Sequence, residues 1–184
     1  NNFTITRNGN TTQGSFSPYG NLWSNYMYDA SITASLGAAG QFGTGDFTVE
    51  CWVNCLTGSA GGGDVIWTFG TYPANNGIFL AYSGASSLYV WAGGGTVITA
   101  SSVLTLNTWA HIAVTRSGTT LRLFVNGVQV GTATNSTNLT EGFQYIGRPN
   151  DVASYYFRGY ISNFRAVKGT AVYTSNFTPS TTPL

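Results

Sequence analysis

Aromatic and amide side chains are the residues in this sequence best suited to chemistry, and sugar binding is the chemistry they suit. The CH groups of a pyranose face pack on aromatic rings, while amide and carboxylate groups fix the orientation of sugar hydroxyls. The chain contains 5 Trp, 11 Tyr and 11 Phe among 184 residues. Loops carry binding residues more often than strands do. The sequence therefore predicts a glycan-binding site drawn from Tyr72, Asn75, Asn76, Trp91, Asn150, Asp151, Tyr155 and Tyr156.

Five other aromatic residues divide between this site and the core. Trp67, Tyr82 and Tyr89 fall in loops or at strand edges, which makes them further candidates for an aromatic platform. Trp52 and Trp109 lie in alternating stretches, and alternation favours core packing for both.

Acid–base and nucleophilic catalysis have little support in the sequence. Glu50 is the only carboxylate in a predicted strand, whereas glycoside hydrolysis uses two carboxylates that flank the scissile bond. His111 could act as a general base, but no Ser or Cys nucleophile motif accompanies it. A strand histidine held by a local hydrogen bond is the expected interpretation. We therefore expect the chain not to be an enzyme.

Charged residues are scarce, and this excludes several classes of protein. They make up 7% of the chain, as seven Lys or Arg and six Asp or Glu, against about 25% in an average soluble protein. Seven scattered cations cannot form the basic face that neutralises nucleic-acid phosphates. The solvated faces of a helical bundle need more Glu, Lys and Arg than are present. The surface must consist mainly of Ser, Thr, Asn and Gly, which are typical of turns and outward strand faces.

Short apolar stretches with turn residues between them predict an all-β sandwich. The chain is expected to form one domain over residues 1–184, with a possible N-terminal arm at 1–22 that Phe3, Ile5, Phe16 and Tyr19 could dock. A C-terminal strap at 169–184 is expected to lie over the sandwich, anchored by Val172, Tyr173, Phe177 and Leu184. The predicted strands are 47–53, 65–69, 78–82, 88–91, 109–115, 121–125, 128–130, 145–147 and 160–165.

The two cysteines are predicted to be buried free thiols. Cys51 and Cys55 lie in one predicted strand, where residues four apart are separated by about 13 Å. A disulfide requires Cα atoms within about 7 Å. No apolar run of about 18 residues is present, so no membrane insertion is expected. The chain begins without Met, and we expect it to be a processed product or a segment of a larger chain.

Several motifs, taken in order, resemble those of a known family. They are 109–114 (WAHIAV), 121–128 (LRLFVNGV), Gly147 and 157–165 (FRGYISNFR), and stretch 47–53 matches an early strand. Over roughly residues 25 to 184 the chain resembles laminin-G-like, concanavalin A-like lectin/glucanase domains. The resemblance implies an antiparallel jelly roll of two sheets. The Glu-x-Asp-x-x-Glu pattern of the glucanase members is absent, and Glu50 and Glu141 are the only glutamates.

A narrower resemblance rests on both ends of the chain. Stretches 13–20 (QGSFSPYG), 23–26 (WSNY) and 169–179 (GTAVYTSNFTP) are similar to such domains in structural proteins of marine tailed bacteriophages. This implies a virion-surface, extracellular module that docks to other virion subunits and binds host glycans. Scarce charge and unprotected strand edges favour a homo-oligomer or a lattice. The alternatives are a carbohydrate-binding module for host attachment and, third, a glycan-degrading enzyme.

Calcium is the one cofactor that the resemblance implies, because laminin-G-like domains often hold it in loops. Calcium prefers clustered oxygen ligands. The available loop carboxylates are Asp29, Asp64 and Asp151, with Asn150 beside the last. Ordinary turn residues are the alternative interpretation of all three aspartates.

Overall fold

Two antiparallel sheets of seven strands each pack face to face around an apolar core. A computed structural model describes residues 4–56, 63–71, 75–84, 86–148 and 155–183. Within this part of the chain the strands are β1 (Ile5–Asn8), β2 (Thr12–Gly14), β3 (Ser24–Met27), β4 (Ser31–Ser35), β5 (Phe47–Cys55), β6 (Asp64–Phe69), β7 (Ile78–Ser83), β8 (Ser87–Ala92), β9 (Gly95–Ala100), β10 (Trp109–Ser117), β11 (Thr120–Val125), β12 (Val128–Thr134), β13 (Phe143–Ile146) and β14 (Gly159–Lys168). A short 3-10 helix covers Gly37–Gly40.

Strand order defines two sheets, a front sheet and a back sheet. The front sheet has the order β1-β4-β13-β6-β7-β8-β9, and the back sheet has the order β12-β11-β10-β5-β14-β3-β2. The expected all-β, two-sheet antiparallel sandwich is confirmed. No helix in the described residues is long and apolar enough to cross a membrane.

Alternation along β5 shows how the sequence builds the core. Val49, Cys51 and Val53 point inward and are at most 1% exposed. Cys51 and Cys55 are free thiols inside the core, as predicted. Burial raises the pKa of both thiols, and that of Cys55 rises to about 12.

Four aromatic assignments made from the sequence are wrong. Trp67 and Tyr82 are fully buried in the core, so neither can form a binding platform. Trp52 and Trp109 are half-buried and belong to the outer face of the back sheet, not to the core. The reason is that both share the outward side of their strands, where loop residues rather than a second sheet cover them.

The N-terminal segment is divided between the two sheets. β1 pairs with β4 at one edge of the front sheet, and β2 pairs with β3 at one edge of the back sheet. Phe16 and Tyr19 follow β2 and contact aromatic rings of the back sheet. The N-terminal segment therefore adds a strand to each sheet, and Phe16 and Tyr19 pack on the back sheet. Ile5 is 69% exposed and does not anchor the segment as expected. Phe3 lies outside the described residues.

The C-terminal segment, called the strap, lies across the outer face of the back sheet. The rings of Tyr173 and Phe177 stack on each other with centroids 3.6 Å apart, and both contact Phe124. The Phe177 amide donates to the Gly127 carbonyl at 2.9 Å. Val172 is 41% exposed, so it anchors the strap less than expected. Leu184 lies outside the described residues.

Candidate functional site

A row of side chains crosses the outer face of the front sheet. Register pairs Tyr145 with Thr68, Thr68 with Phe79 and Phe79 with Trp91. Directly paired residues in a sheet point to the same face. Since the neighbours of these residues fill the core, this row points outward. We call Tyr145, Thr68, Phe79 and Trp91 the front row.

Two aromatic stacks flank the centre of the front row. The rings of Phe79 and Trp91 are nearly parallel, with an interplanar angle of 11° and centroids 5.5 Å apart, and both side chains are half-buried. The rings of Phe143 and Tyr145 stack at 5.7 Å. Phe143 is 43% exposed. Phe79, Trp91 and Phe143 are therefore accessible apolar rings of the kind on which the CH face of a sugar packs, whereas Tyr145 is only 8% exposed.

Arg148 follows β13 and lies against Thr68 and Tyr145 of the front row. The Thr68 hydroxyl donates to the carbonyl of Arg148 at 3.4 Å, which places this segment over the middle of the front row. The Arg148 guanidinium lies 5.5 Å from the centre of the Tyr145 ring. It also donates to the Tyr156 hydroxyl at 3.4 Å. Polar donors and acceptors therefore adjoin the aromatic surface.

Two more polar groups lie near the same stack. On β8, Tyr89 precedes Trp91 by two residues, and its hydroxyl accepts from Ser83 at 2.9 Å. Asn75 lies against the turn between β8 and β9, where a side chain at Gly94 would meet the Asn75 amide oxygen. Gly94 has a φ of +86°, so the tight turn and the close approach of Asn75 both require glycine there.

The structure places several of the predicted glycan-site residues at the front sheet. Trp91 stacks on Phe79, Tyr156 accepts a hydrogen bond from Arg148, and the Tyr155 carbonyl accepts from the Val65 amide at 3.0 Å. Asn75 lies against the turn that follows β8, and Asn76 is exposed. Tyr72, Asn150 and Asp151 lie outside the described residues.

Four residues near this site were not expected from the sequence. They are Phe79, Phe143, Tyr145 and Arg148. Alternation along 78–82 already places Phe79 on the side opposite to Ile78 and Leu80. Its alignment with Trp91 and Tyr145 depends on the register among β13, β6, β7 and β8. Nothing in the local sequence signals that register.

Glu50 is bound by side chains from three other elements. It points to the outer face of the back sheet, yet it is fully buried beneath the strap. The His111 ring lies 3.0 Å from one carboxylate oxygen, the Tyr173 hydroxyl donates to the same oxygen at 2.8 Å, and Arg165 donates to the other at 2.6 Å. The hydrogen bond that the sequence led us to expect for His111 is thereby confirmed.

Hydrogen bonds outweigh desolvation in setting the ionisation of Glu50. Burial alone would raise the pKa of its carboxyl group, but hydrogen bonds from His111, Tyr173 and Arg165 hold that pKa below the usual 4.5. Burial and the Glu50 carboxylate raise the pKa of Tyr173 to about 12. Glu50 is therefore a buried anion, fully occupied in holding the strap.

Two of the three candidate calcium ligands lie within the described residues. Asp29 lies in the turn between β3 and β4, where its carboxylate is 3.7 Å from the Arg158 guanidinium. Asp64 begins β6, is 2% exposed and pairs with Tyr82 across the sheet. Asp151 lies outside the described residues. The described part of the chain holds no group of three or more His, Cys, Asp or Glu that could bind a metal. A calcium site that includes Asp151 stays a prediction.

Sequence comparison assigns the fold to a family. Residues 28–171 match the concanavalin A-like lectin/glucanases superfamily, and the chain belongs to this family. Comparison with curated proteins finds no match. The family assignment confirms the domain type that the sequence motifs suggested.

Three solved structures illustrate the similarity. Domain 4 of AbnA, a GH43 extracellular arabinanase from Geobacillus stearothermophilus in complex with arabinotriose, has a TM-score of 0.61 and 16% identity, covering 92% of this chain and 84% of that one. The CBM40 of Ruminococcus gnavus IT-sialidase, bound to α2,3 sialyllactose, has a TM-score of 0.60 and 13% identity, covering 72% and 80%. The binding domain of botulinum neurotoxin serotype D/C has a TM-score of 0.67 and 12% identity, covering 91% of this chain and 44% of that one.

Proposed function

We propose that this domain is a non-enzymatic carbohydrate-binding module whose site is the outer face of the front sheet. The parallel Phe79–Trp91 stack carries this proposal, because its two rings are only half-buried on the outer face of the sheet. Domains of the same fold have been solved with arabinotriose and with sialyllactose. Those complexes support a sugar as the class of ligand.

In the proposed site, aromatic rings contact the sugar and polar side chains hydrogen-bond it. The CH face of a pyranose or furanose ring packs on Trp91 and Phe79. The Arg148 guanidinium and the Tyr156 hydroxyl hydrogen-bond sugar hydroxyls from one side. The Asn75 amide, which lies against the turn between β8 and β9, hydrogen-bonds a further sugar hydroxyl. Apolar contact supplies affinity, and the few polar groups fix the orientation of the sugar.

The environment of Glu50 supports the absence of catalysis. A glycosidase acid or nucleophile must reach the scissile bond, whereas Glu50 is fully buried and bound by three side chains. Release of reducing sugar from a neutral polysaccharide by the wild type, lost in Glu50→Gln, would contradict this part of the proposal.

Replacing Trp91 tests the front-sheet site. We expect Trp91→Ala to weaken binding about thirtyfold or more, the effect of removing an aromatic residue that dominates an interface. Glycan arrays identify the sugar, and isothermal titration then gives the affinity of each variant. The array is run with calcium and with chelator.

Trp23→Ala is the matched control, because Trp23 is 59% exposed but belongs to the back sheet side. It should bind as the wild type does. Equal affinity of Trp91→Ala and Trp23→Ala would reject the front-sheet site. Loss of binding with chelator would show that metal ligands contribute after all.

We also propose that the module is displayed on a phage-type particle and docks to other virion subunits. The N-terminal and C-terminal motifs support this, as does an exposed apolar patch on the back sheet side. There Tyr19, Leu22, Trp23 and Pro183 line a cleft of about 220 Å³. Such a patch lacks the charge that keeps surfaces apart.

Self-association tests the assembly proposal. Sedimentation should show a fraction of oligomer that increases with protein concentration. Trp23→Ser should weaken the self-association constant about tenfold. Val128→Ser is the control, because Val128 is 54% exposed at the other edge of the back sheet. A wild type that remains monomeric at high concentration would oppose self-assembly.

A further inference from the structure

A second row of aromatic residues crosses the outer face of the back sheet. Register pairs Trp109 with Asn54, Asn54 with Tyr160 and Tyr160 with Tyr26. These four residues, which we call the back row, share one outward face. The rings of Tyr26 and Tyr160 lie 5.0 Å apart, so the row continues as aromatic surface beyond Asn54.

Two buried polar atoms in the back row have no hydrogen-bond partner within the described part of the chain. They are the amide oxygen of Asn54, a residue only 2% exposed, and the indole nitrogen of Trp109. One is an acceptor and the other a donor, and their residues are direct neighbours across β5 and β10. Leaving buried polar groups unpaired costs free energy, so such groups in a native fold call for an explanation.

Phe16 covers this part of the back row without satisfying either atom. Its ring lies 5.4 Å from that of Trp109 and 4.8 Å from that of Tyr160, measured between centroids. A phenyl ring has no donor or acceptor. Phe16 is 49% exposed and follows the three-residue edge strand β2. The Ser24 hydroxyl donates a hydrogen bond to the Phe16 carbonyl.

We propose that Phe16 is a displaceable plug over a second saccharide site. With the plug moved aside, a sugar ring packs on Trp109 and Tyr160. A single hydroxyl of that sugar then donates to the Asn54 oxygen and accepts from the Trp109 indole, because a hydroxyl does both. This site is independent of the front row, since it lies on the opposite sheet and uses none of the same residues.

The five tryptophans are natural reporters for a test by nitrogen-15 NMR. The Trp109 indole signal reports the back row, the Trp91 signal reports the front row, and the Trp67 signal reports the intact core. The probes are arabinotriose, cellotetraose and maltotetraose, each titrated to millimolar concentration. Single Trp→Phe variants assign the signals.

In Phe16→Ala we expect at least one probe to shift the Trp109 signal. Phe16→Ala should bind this probe with an apparent affinity about tenfold or more above that of the wild type. The reason is that the wild-type site is open for about a tenth of the time or less, which weakens its apparent affinity by the same factor. The double variant Phe16→Ala, Asn54→Leu should lose the shift. Val128→Ala, at the other edge of the back sheet from Phe16, should behave as the wild type does.

Three results would overturn the proposal. They are a Trp109 signal that no probe moves in Phe16→Ala, the same shift in Phe16→Ala and wild type, and an undiminished shift in the double variant. An unchanged Trp67 signal shows that a variant is folded. If Phe16→Ala does not fold, Phe16→Thr takes its place in the same test. Failure of the front-row proposal appears separately, as a Trp91 signal that no probe moves.

Discussion

Glu50 shows how a residue suited to catalysis can serve stability instead. Its carboxylate accepts hydrogen bonds from Arg165 and Tyr173 and is paired with the His111 ring. Three elements, β14, the strap and β10, therefore meet at one buried charge on β5. Removing one partner of a buried charged pair leaves the other uncompensated. The side chain that most resembles an enzyme's acid therefore joins β5, β10, β14 and the strap.

We expect Glu50→Gln to lower the free energy of unfolding by about 3 kcal/mol at neutral pH. Because the folded pKa of Glu50 is lowered, its charge stabilises the fold above the unfolded value of 4.5. That stabilisation is lost as the pH falls below 4.5 and through the lower folded pKa. The difference between wild type and variant should therefore shrink in acid.

Urea unfolding at about pH 7 and about pH 3 measures this difference. Glu141→Gln is the control, because Glu141 forms no ion pair within the described residues, and it should change stability by less than about 0.5 kcal/mol. An equal loss for Glu50→Gln at both pH values would show that packing, not charge, is responsible.

At the scale of elements, the strap depends on one glycine. Gly127 has a φ of +78°, and a Cβ there would collide with the carbonyl oxygen of Phe177. Gly118, in the preceding hairpin turn, has a φ of +57° and open space around its Cα. The two positions share backbone strain but differ in contact with the strap.

Alanine at these two positions separates the two effects. Gly118→Ala should cost about 1 kcal/mol of unfolding free energy, from left-handed backbone strain alone. Gly127→Ala should cost about 3 kcal/mol, because it also displaces the strap. Urea unfolding measures both. Equal costs would mean that the strap contributes little to stability.

Strand prediction succeeded where apolar alternation was strong and failed where strands were polar. The hairpin at Asn126-Gly127 and strands β5 to β8 and β10 to β14 follow from the sequence. β1 to β4 and β9 were missed, because Thr, Ser and Asn in them are typical of turns as well as of edge strands. Tertiary pairing, not local preference, makes these segments strands.

The candidate site could be predicted only as residue types. Trp91, Tyr155 and Tyr156 were found because they are aromatic and near loops, whereas Phe79 and Tyr145 join them through register across three strand pairs. Local sequence does not encode such long-range register. For the same reason, no feature of the sequence could show that the strap buries Glu50.

At the scale of the whole molecule, the core protects both thiols. Cys51 and Cys55 are at most 2% exposed, and the raised pKa of about 12 for Cys55 disfavours its reactive thiolate. We expect a disulfide reagent such as DTNB to leave the native protein unmodified. Both thiols should react in urea, at a rate that follows global unfolding.

A thiol that reacts in native buffer, while far-UV circular dichroism shows an intact sandwich, would reveal local opening around β5. The unfolded protein is the control, because it should release two equivalents of reporter, one for each free cysteine.

The buried arginine of β10 removes one more charge from the surface. Arg116 is fully buried, stacks on Phe47 and donates to the carbonyls of Gly43, Gly45 and Thr137. Glu50 is likewise sequestered, with Arg165 only 34% exposed beside it. Dissolved ions screen exposed charges strongly and buried ones weakly. The contribution of these two buried charges to the free energy of unfolding should therefore change little as ionic strength rises.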